Sequence, residues 1–411
     1  MATVRRIYIY LVSTISLQSM VWALIALLRN FLITRLDPDI TALAFQIAVV
    51  LVGLPVFLAH WLWGQRLANR ELEEQEAALR RFYLYATLAG FLAPWITNFY
   101  DLLGSILRLN KSLNRLPFGL SATDGILYHL IALVILGVLW FYHQRILASE
   151  QKTIPDRERN STLRRMYVLG FSLAGLFATG LAVIHLIRLL MLLMGFSTRL
   201  NVVLANELIR LLVGASLWFV FWRWARQLFE QGGAEEGESA LRKFYLYGTV
   251  FYSTVGVVAN SAGILAGVFR RILSLPPEGN LSEPLPIILG LGAVWAYHAF
   301  VLRDDAGKIK EVPRQMGIRR LYLYLIAFVG LCALLTGIVG DLNVLLRLLD
   351  QGTFGTELRE QLAIFTAILL AGFPVWLIPW MRIQADTNQP GVIGLQARQS
   401  LVRKIYVYFF L

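Results

Sequence analysis

Ionisable side chains within long apolar stretches are the first candidates for chemistry, because charge inside a bilayer is costly and usually functional. Asp101, Asp341 and His185 each follow a pair of basic residues at nearly the same distance along the chain. That distance is about 20 residues, and at ~1.5 Å per helical residue it corresponds to roughly 30 Å, the thickness of a hydrocarbon core. We therefore expect all three side chains at a membrane boundary, where water and lipid headgroups solvate them.

Amide side chains occur closer to the middle of the same stretches. Asn98 and Asn260 lie at the same offset from their basic pairs, about one helical turn before the position of Asp101. Hydrogen bonding between neighbouring helices is the interpretation we favour, since polar side chains commonly join helices in membranes. The alternative is a polar path for a transported solute, lined by Asn98, Asp101, Asn260 and Asp341.

Three histidines form another set, because His60, His143 and His298 each lie beside clustered aromatic residues at the end of an apolar stretch. Two comparable stretches carry Phe221 and Pro379 instead. A metal or haem would need ligands converging from several helices, and no H-E-x-x-H motif, Walker loop or G-x-S-x-G elbow is present. We predict interfacial histidines, no cofactor, no metal and no catalytic activity.

The elements that position these residues are membrane helices. Hydrophobic residues make up 57% of the 411-residue chain, and apolar runs long enough to cross a bilayer recur from end to end. The sequence predicts an all-α, polytopic helical membrane protein with about ten transmembrane helices and the start of an eleventh. The single cysteine, Cys332, excludes an intrachain disulfide and a thiolate metal cluster.

A motif with two cations and two tyrosines opens alternate spans. Its variants are "VRRIYIY", "LRRFYLY", "LRRMYVL", "LRKFYLY", "IRRLYLY" and "VRKIYVY". The second cation recurs about every 80 residues, which is typical of tandem supersecondary units, and it stands at Arg6, Arg81, Arg165, Lys243, Arg320 and Lys404. We predict five parallel two-helix repeats, at residues 1–76, 77–160, 161–238, 239–315 and 316–399, and the start of a truncated sixth at 400–411.

These units resemble a family of bacterial multi-pass membrane proteins of unknown function, which is built from two-helix repeats that open with R-R-x-Y-x-Y. The resemblance covers essentially the whole chain and implies a repeated helical membrane fold. It carries no known activity, so it implies no functional residues. The third unit departs from the pattern, because Leu169 stands where the second tyrosine is expected.

The motif residues are predicted to anchor the helices in the headgroup region, since tyrosine and tryptophan rings settle there and cations meet anionic lipid. Of 16 tyrosines, 11 lie in the motifs. The predicted anchors are Arg5, Arg6, Tyr8, Tyr10, Arg80, Arg81, Tyr83, Tyr85, Arg164, Arg165, Tyr167, Arg242, Lys243, Tyr245, Tyr247, Arg319, Arg320, Tyr322 and Tyr324, with Trp61, Trp63, Trp140, Trp222, Trp295 and Trp380 at the ends of the second spans.

The distribution of positive charge predicts the orientation. The side of the membrane that carries the N-terminus and the motifs holds 26 of the 38 Lys and Arg residues. By the positive-inside rule, the N-terminus is expected in the cytoplasm of a bacterial cell, with the protein in the cytoplasmic (inner) membrane. Because these cations sit at span ends, nucleic-acid binding is not expected.

Local patterns add further expectations. Ser161 and Ser239 are predicted helix N-caps, and "ELEEQEAALRR" is helix-prone enough to extend the second repeat's first helix into the cytoplasm. Small residues four apart, Ala174 with Ala178 and Gly263 with Gly267, are candidates for close contacts between helices.

Regular anchors and spans without a midplane charge favour a non-catalytic integral membrane scaffold, or an accessory subunit of a larger assembly. Its expected partners are membrane lipids, including anionic lipid at the cytoplasmic face, and other membrane protein subunits. Two alternatives stay open: a transporter or channel with a path through the helix array, and the membrane sensor region of a longer protein.

Overall fold

A computed structural model describes residues 2–33, 39–109, 122–155, 161–193, 200–231, 236, 239–308 and 312–410. Every regular element within these ranges is a helix, as the apolar runs predict. In chain order they are α1 (Ala2–Leu32), α2 (Ile40–Arg70), α3 (Leu72–Glu76), α4 (Ala78–Leu107), α5 (Ala122–Thr153), α6 (Thr162–Leu193), α7 (Leu200–Gln231), α8 (Ala240–Ile272), α9 (Pro284–Lys308), α10 (Pro313–Gln351), α11 (Thr356–Asn388), α12 (Gly391–Gln399) and α13 (Leu401–Phe410).

Nine of these helices are long and apolar enough to cross a membrane, counted over the described part of the chain. They are α1, α2 and α5 to α11. Helix α4 has 30 residues, like its neighbours, but it is not among the nine. The mean hydropathy of α4 is lowered by its tyrosines and by Thr97, Asn98 and Asp101. The total of ten spans therefore stays a prediction, and so does the division into five repeats.

Much of the apolar surface of these helices is exposed. Leu51, Val138 and Val339 are each more than 60% exposed, although all three lie in the middle of long helices. A soluble protein rarely leaves such continuous apolar surface in water, whereas lipid chains solvate it. Exposure of this kind is what membrane-spanning helices require.

The chain forms two compact units. The first contains residues 1–179 and 198–232, and the second contains residues 180–197 and 233–411. Within the first unit, α1 packs on α2, α4 packs on α5, and α4 also contacts α1 and α7. Within the second, α10 packs on α11, α8 packs on α9, and α8 contacts both α10 and α11. Each unit is thus built from helix pairs that are adjacent in sequence.

Glycines bring some helix pairs into backbone contact. A Cβ placed on Gly330 of α10 would overlap the backbone of Trp376 on α11, and one on Gly175 of α6 would overlap that of Trp218 on α7. The predicted pair Gly263 and Gly267 makes no such contact, because nothing lies within 4 Å of a Cβ at either position. Of the predicted alanines, Ala178 does meet a glycine on α7, which is Gly214.

The ends of the helices follow local chemistry. Ser161 Oγ accepts a hydrogen bond from the backbone N–H of Arg164 at 3.4 Å, which confirms the predicted cap of α6. Ser239 stands at the N-cap of α8, but its side chain makes no capping hydrogen bond. The predicted extension of α4 is wrong, since the extended backbone of Ala77 separates α4 from the short helix α3.

Candidate functional site

A buried polar cluster lies where the second motif begins α4. Arg80 has no exposed surface. Its Nε donates to Glu150 Oε1 of α5 at 2.9 Å, its Nη1 donates to the Tyr10 hydroxyl of α1 at 3.1 Å, and its Nη2 donates to Gln65 Oε1 of α2 at 3.0 Å. Four helices therefore meet at one guanidinium. A buried arginine needs this many acceptors, because its charge and its five donors have lost their water.

Aromatic side chains cover this cluster on the side of the spans. The ring of Trp61 lies 5.2 Å from that of Tyr83 and 5.4 Å from that of His143, measured between centroids. Trp61 Nε1 donates to the Tyr142 hydroxyl at 2.9 Å. His143 is fully buried, and one of its ring nitrogens, Nδ1, pairs with the Leu139 carbonyl of its own helix at 2.8 Å. These rings exclude water from the Arg80–Glu150 pair.

Pairing between the motif and a distant carboxylate recurs along the chain. Arg5 and Arg6 both bind Glu74 of α3, with Arg6 Nε at 2.9 Å from Glu74 Oε2. Arg242 of α8 pairs with Asp305 of α9 at 2.6 Å, and Arg319 of α10 pairs with Asp386 of α11 at 3.2 Å. In the three motifs that begin α4, α8 and α10, the first cation thus reaches a carboxylate near the end of the following long helix. We call these four contacts the clamps: Arg5 and Arg6 with Glu74, Arg80 with Glu150, Arg242 with Asp305, and Arg319 with Asp386.

The first clamp differs from the other three because its carboxylate, Glu74, lies in the short helix α3 and not in a long helix. Burial raises the pKa of Glu74, but hydrogen bonds from Arg6 and Arg5, together with their charges, outweigh this effect and hold its pKa below the ordinary value. The carboxylate is therefore ionised at neutral pH. It fixes α3 to the start of α1.

The two tyrosines of each motif connect successive motifs. The second tyrosine of one motif packs against the first tyrosine of the next, and ring centroids are 5.3 Å apart for Tyr10–Tyr83, 5.7 Å for Tyr85–Tyr167, 5.0 Å for Tyr247–Tyr322 and 5.3 Å for Tyr324–Tyr406. We call these four pairs the tyrosine ladder. Such aromatic pairs contribute about 0.5–1.5 kcal/mol beyond the area they bury.

The third motif carries Leu169 in place of the second tyrosine, and it is also the last motif of the first compact unit. Leu169 is buried. Two rungs of the tyrosine ladder therefore belong to the first unit and two belong to the second. In the motifs that have a second tyrosine within these rungs, that tyrosine is one of the two rings of a rung. Leu169 supplies no ring at this position.

The histidine set also has a structural explanation. His60 Nε2 lies 3.1 Å from the Tyr8 hydroxyl, and the ring centroid of His298 lies 5.9 Å from that of Tyr245. His143 meets Tyr83 in the same way, with Nε2 at 3.5 Å from the hydroxyl. Each histidine thus faces the first tyrosine of its own repeat. In the third repeat Phe221 takes that place, and its ring centroid lies 5.7 Å from that of Tyr167.

Many of the predicted anchor residues are buried within the helix packing. A side chain without exposed surface contacts protein rather than lipid headgroups, and this holds for Arg80, Arg81, Tyr83, Tyr85, Tyr10, Arg164, Tyr167, Lys243, Tyr245, Tyr324, Trp61 and Trp222, each at most 7% exposed. Half-buried members of the predicted set are Arg5, Arg6, Arg165, Arg242, Tyr247, Arg319, Arg320, Tyr322, Trp140 and Trp380. The physical reason is that amphipathic rings and buried cations suit a helix interface that offers acceptors as well as they suit a headgroup layer.

Exposed aromatic residues remain consistent with the lipid-anchor role. Tyr8, Trp63 and Trp295 are 52%, 43% and 44% exposed. They lie at the same helix ends as the buried members of the set. Lipid contact by these three residues stays a prediction.

The four residues of the predicted polar path have separate surroundings. Asn98 accepts from Arg29 Nη2 at 3.2 Å and pairs with His129 Nδ1 at 3.1 Å, while Asp101 is exposed. In the other compact unit, Asn260 donates to the Gly256 carbonyl of its own helix, and Asp341 accepts from the Thr366 hydroxyl at 3.1 Å. Asn98 therefore joins neighbouring helices, as the favoured interpretation expected, whereas the bond of Asn260 stays within its own helix. Asp341, which was expected to be solvated at a membrane boundary, accepts a hydrogen bond from the neighbouring helix.

Arg29 completes a second polar cluster, at the opposite end of α1 from its motif. Its guanidinium carbon lies 3.5 Å from the centre of the Tyr128 ring, and its Nε donates to the Tyr128 carbonyl at 3.0 Å. Together with Asn98 and His129, this residue joins α1, α4 and α5. The stacking of Arg29 on the Tyr128 ring and its hydrogen bond to Asn98 stabilise the contact among these helices. The same side chains place several polar groups at one point.

Sequence reasoning missed the acidic half of the clamps. Glu150, Asp305 and Asp386 follow the first arginine of their repeat at separations of 70, 63 and 67 positions. Variation in this offset hides the pairs from a search at fixed spacing. The available signal was the recurrence of an acidic residue near the ends of α5, α7, α9 and α11, together with a motif arginine on the same predicted side of the membrane. Among the described residues, no three His, Cys, Asp or Glu side chains come together in a way that could hold a metal ion.

Helices of this length and apolarity, joined in sequence-adjacent pairs, define the molecule as a polytopic α-helical membrane protein. The chain belongs to the family described as Domain of unknown function (DUF5671), whose model matches residues 6–123, 180–297 and 320–411. Two of the three matched segments begin at a motif arginine, Arg6 or Arg320. No curated protein and no solved structure matches this chain.

Proposed function

We propose that this protein is a non-catalytic membrane scaffold or accessory subunit, which holds a row of helices in fixed register for other membrane proteins. The observation that carries the proposal is that the polar atoms of the motif form hydrogen bonds between helices. Arg80 has all of its bonds to Glu150, Tyr10 and Gln65 within the helix packing. A site that acts on a substrate needs polar groups free to bind it, and the clamps instead use theirs to hold helices together.

The same reasoning gives the proposed orientation. The motifs and the clamps lie on the cation-rich side, which the positive-inside rule assigns to the cytoplasm of a bacterial cell. In this orientation, anionic lipid of the cytoplasmic leaflet surrounds the exposed motif residues such as Tyr8. The bacterial cytoplasmic membrane is the proposed location.

The sixth motif carries an exposed tyrosine at a position that packs against another motif elsewhere in this unit. Tyr406 is buried against Tyr324 and Trp380, whereas Tyr408, the second tyrosine of this motif, is 76% exposed. In both rungs of this unit, the ring of a second tyrosine packs against the ring of the first tyrosine of the next motif. Tyr408 therefore presents the receiving half of a rung, flanked by the exposed side chains of Ile405 and Phe409.

Gentle detergent extraction from the native membrane, followed by mass spectrometry of what co-purifies, tests the scaffold proposal. A photoreactive amino acid in place of Tyr408 is expected to cross-link one reproducible membrane protein, and the same group in place of exposed Val134 on α5 serves as the control. Recovery of the chain alone, together with solute flux in liposomes that contain only this protein, would contradict the proposal.

A transporter is the second candidate, and the Arg29 cluster favours it. The cluster brings a cation, an amide and an imidazole together among three helices, near the exposed Asp101. Substitution Asn98→Ala tests this alternative in the liposome assay. A transport role predicts altered flux at unchanged protein stability, whereas a junction role predicts lower stability and no flux in either protein.

A further inference from the structure

An open apolar groove runs along the starts of α4 and α6 in the first compact unit. Its volume is about 360 Å³. The residues that line it are Phe82, Tyr85, Ala86, Ala89, Leu163, Met166, Tyr167, Gly170, Phe171 and Ala174. The tyrosine pair Tyr85–Tyr167 is part of its wall, so the groove follows one rung of the ladder.

Small residues at helical spacing create this groove. Gly170 and Ala174 lie one turn apart on α6, and Ala86 and Ala89 lie one turn apart on α4. A Cβ placed on Gly170 would meet no atom within 4 Å. The groove is therefore space that the neighbouring helices leave unfilled.

The depth of the groove fits within one leaflet of a bilayer. Beyond the arginine pair of α6 the lining residues extend from Met166 to Ala174, and eight residues at ~1.5 Å each correspond to about 12 Å. A hydrocarbon core is about 30 Å thick, so the groove covers less than half of it. A helix of another protein that crossed the membrane would extend well beyond this surface, whereas an acyl chain of one leaflet would not.

A half-buried arginine lies at the shallow end of the groove. Arg165 directly precedes the lining residue Met166. Arg81 and Arg164 flank the same end in sequence but are buried in the helix packing. A cation at the headgroup level beside an apolar groove complements a molecule with an anionic head and an apolar tail.

We propose that this groove is a binding site for one acyl chain of an anionic phospholipid from the surrounding leaflet. The chain lies against Gly170 and Ala174, and the phosphate-bearing headgroup lies at the end of the groove near the half-buried Arg165. This inference requires only that α4 and α6 reside in a bilayer and does not depend on the scaffold role. Lipid in this position covers the Tyr85–Tyr167 rung.

The test compares two substitutions at the same position of the motif. Gly170 and Gly248 both lie five residues after the second motif cation, both are exposed, and a Cβ meets nothing within 4 Å at either. Gly170→Phe fills the groove, whereas Gly248→Phe, on α8, adds the same ring outside it. Native mass spectrometry of the purified proteins, titrated with phosphatidylglycerol or with phosphatidylcholine of the same chains, measures retention.

We expect Gly170→Phe to lower phosphatidylglycerol retention about tenfold and Gly248→Phe to leave it unchanged, because the acyl-chain surface is lost only in the first. Arg165→Gln is expected to reduce the preference for phosphatidylglycerol over phosphatidylcholine. Equal retention by the two glycine variants overturns the proposal. A photoreactive group at Met166 that captures a protein helix instead of lipid also overturns it. Ala174→Leu, a smaller change on the same wall, repeats the test if Gly170→Phe does not fold.

Discussion

Helix pairs α4–α5 and α10–α11 open with the same motif but are held together differently. In α4–α5 the clamp is fully buried, with the Arg80 and Glu150 side chains 0% and 7% exposed, and it joins four helices. In α10–α11 the corresponding Arg319 and Asp386 side chains are 37% and 22% exposed. The backbones of this second pair are in close contact instead, at Gly330, Gly337 and Gly372.

The difference shows that one motif can specify the same pairing through two energetic routes. Glycines let two backbones approach, so van der Waals contact stabilises α10–α11 and its clamp can stay near solvent. The glycines of α5 leave more room: a Cβ on Gly125 or Gly137 would meet a side chain of α4 at 3.1 or 3.3 Å rather than backbone. Side chains therefore separate α4 from α5, and the buried ion pair carries more of their specificity.

The largest expected effect is at the buried clamp. Glu150→Gln leaves the charge of Arg80 buried without a counterion, and we expect a loss of about 3–5 kcal/mol in the free energy of unfolding. Asp386→Asn, at the more exposed clamp, should cost about 1 kcal/mol or less. Steric trapping in bicelles measures both values. Equal losses would show that the two clamps do not differ in the way their burial suggests.

The next effect is at the glycine contact of α10–α11. Gly330→Ala places a methyl group against the backbone of Trp376, which cannot move aside, and we expect a loss of about 1–3 kcal/mol. Gly267→Ala is the matched control, because its Cβ meets nothing within 4 Å and alanine favours the helix. Unfolding free energies of the two variants in bicelles check this prediction. An unchanged Gly330→Ala protein would mean that this pair is not held by backbone contact.

A smaller effect is expected at the tyrosine ladder, which both regions share. A double-mutant cycle with Tyr324→Leu and Tyr406→Leu should give a coupling energy of about 0.5–1.5 kcal/mol. Tyr324→Leu combined with Tyr252→Leu is the control, since Tyr252 is exposed on α8. Coupling that is no larger in the first cycle than in the control would show that the ladder does not stabilise the helix packing.

The smallest effect concerns the clamp at α3, and it depends on pH. The pKa of Glu74 is lowered from its ordinary value of 4.5, so its contribution to stability is complete above pH 4.5 and is lost as pH falls through the lowered value. Hydrogen-exchange protection of the α3 amides should therefore be constant between pH 7 and pH 5 and should decrease below that. In Glu74→Gln the protection should be lower and independent of pH. A wild-type decrease already at pH 6 would show that a group other than Glu74 controls this contact.

Particular residues show how far sequence reasoning reached. The six motifs and their helices were predictable, because apolar length and period are local properties of the chain. Tyr10 and Tyr83 were visible as a pattern, but their burial against each other was not, since an amphipathic ring suits a headgroup layer and a polar helix interface equally. Glu150 and Asp386 could not be found by a search at fixed spacing, because their offsets from the motif differ.

The sequence by itself determined that this is an all-helical membrane protein and which residues recur at the helix ends. These properties depend on hydrophobic length and periodicity, which each segment carries alone. Only the tertiary structure decided that the recurring residues pair with one another, and that a Cβ on Gly330 would meet backbone while one on Gly267 would meet nothing within 4 Å. Pairing depends on which side chains meet across helices, and residues as distant in sequence as Arg80 and Glu150 meet only once the chain has folded.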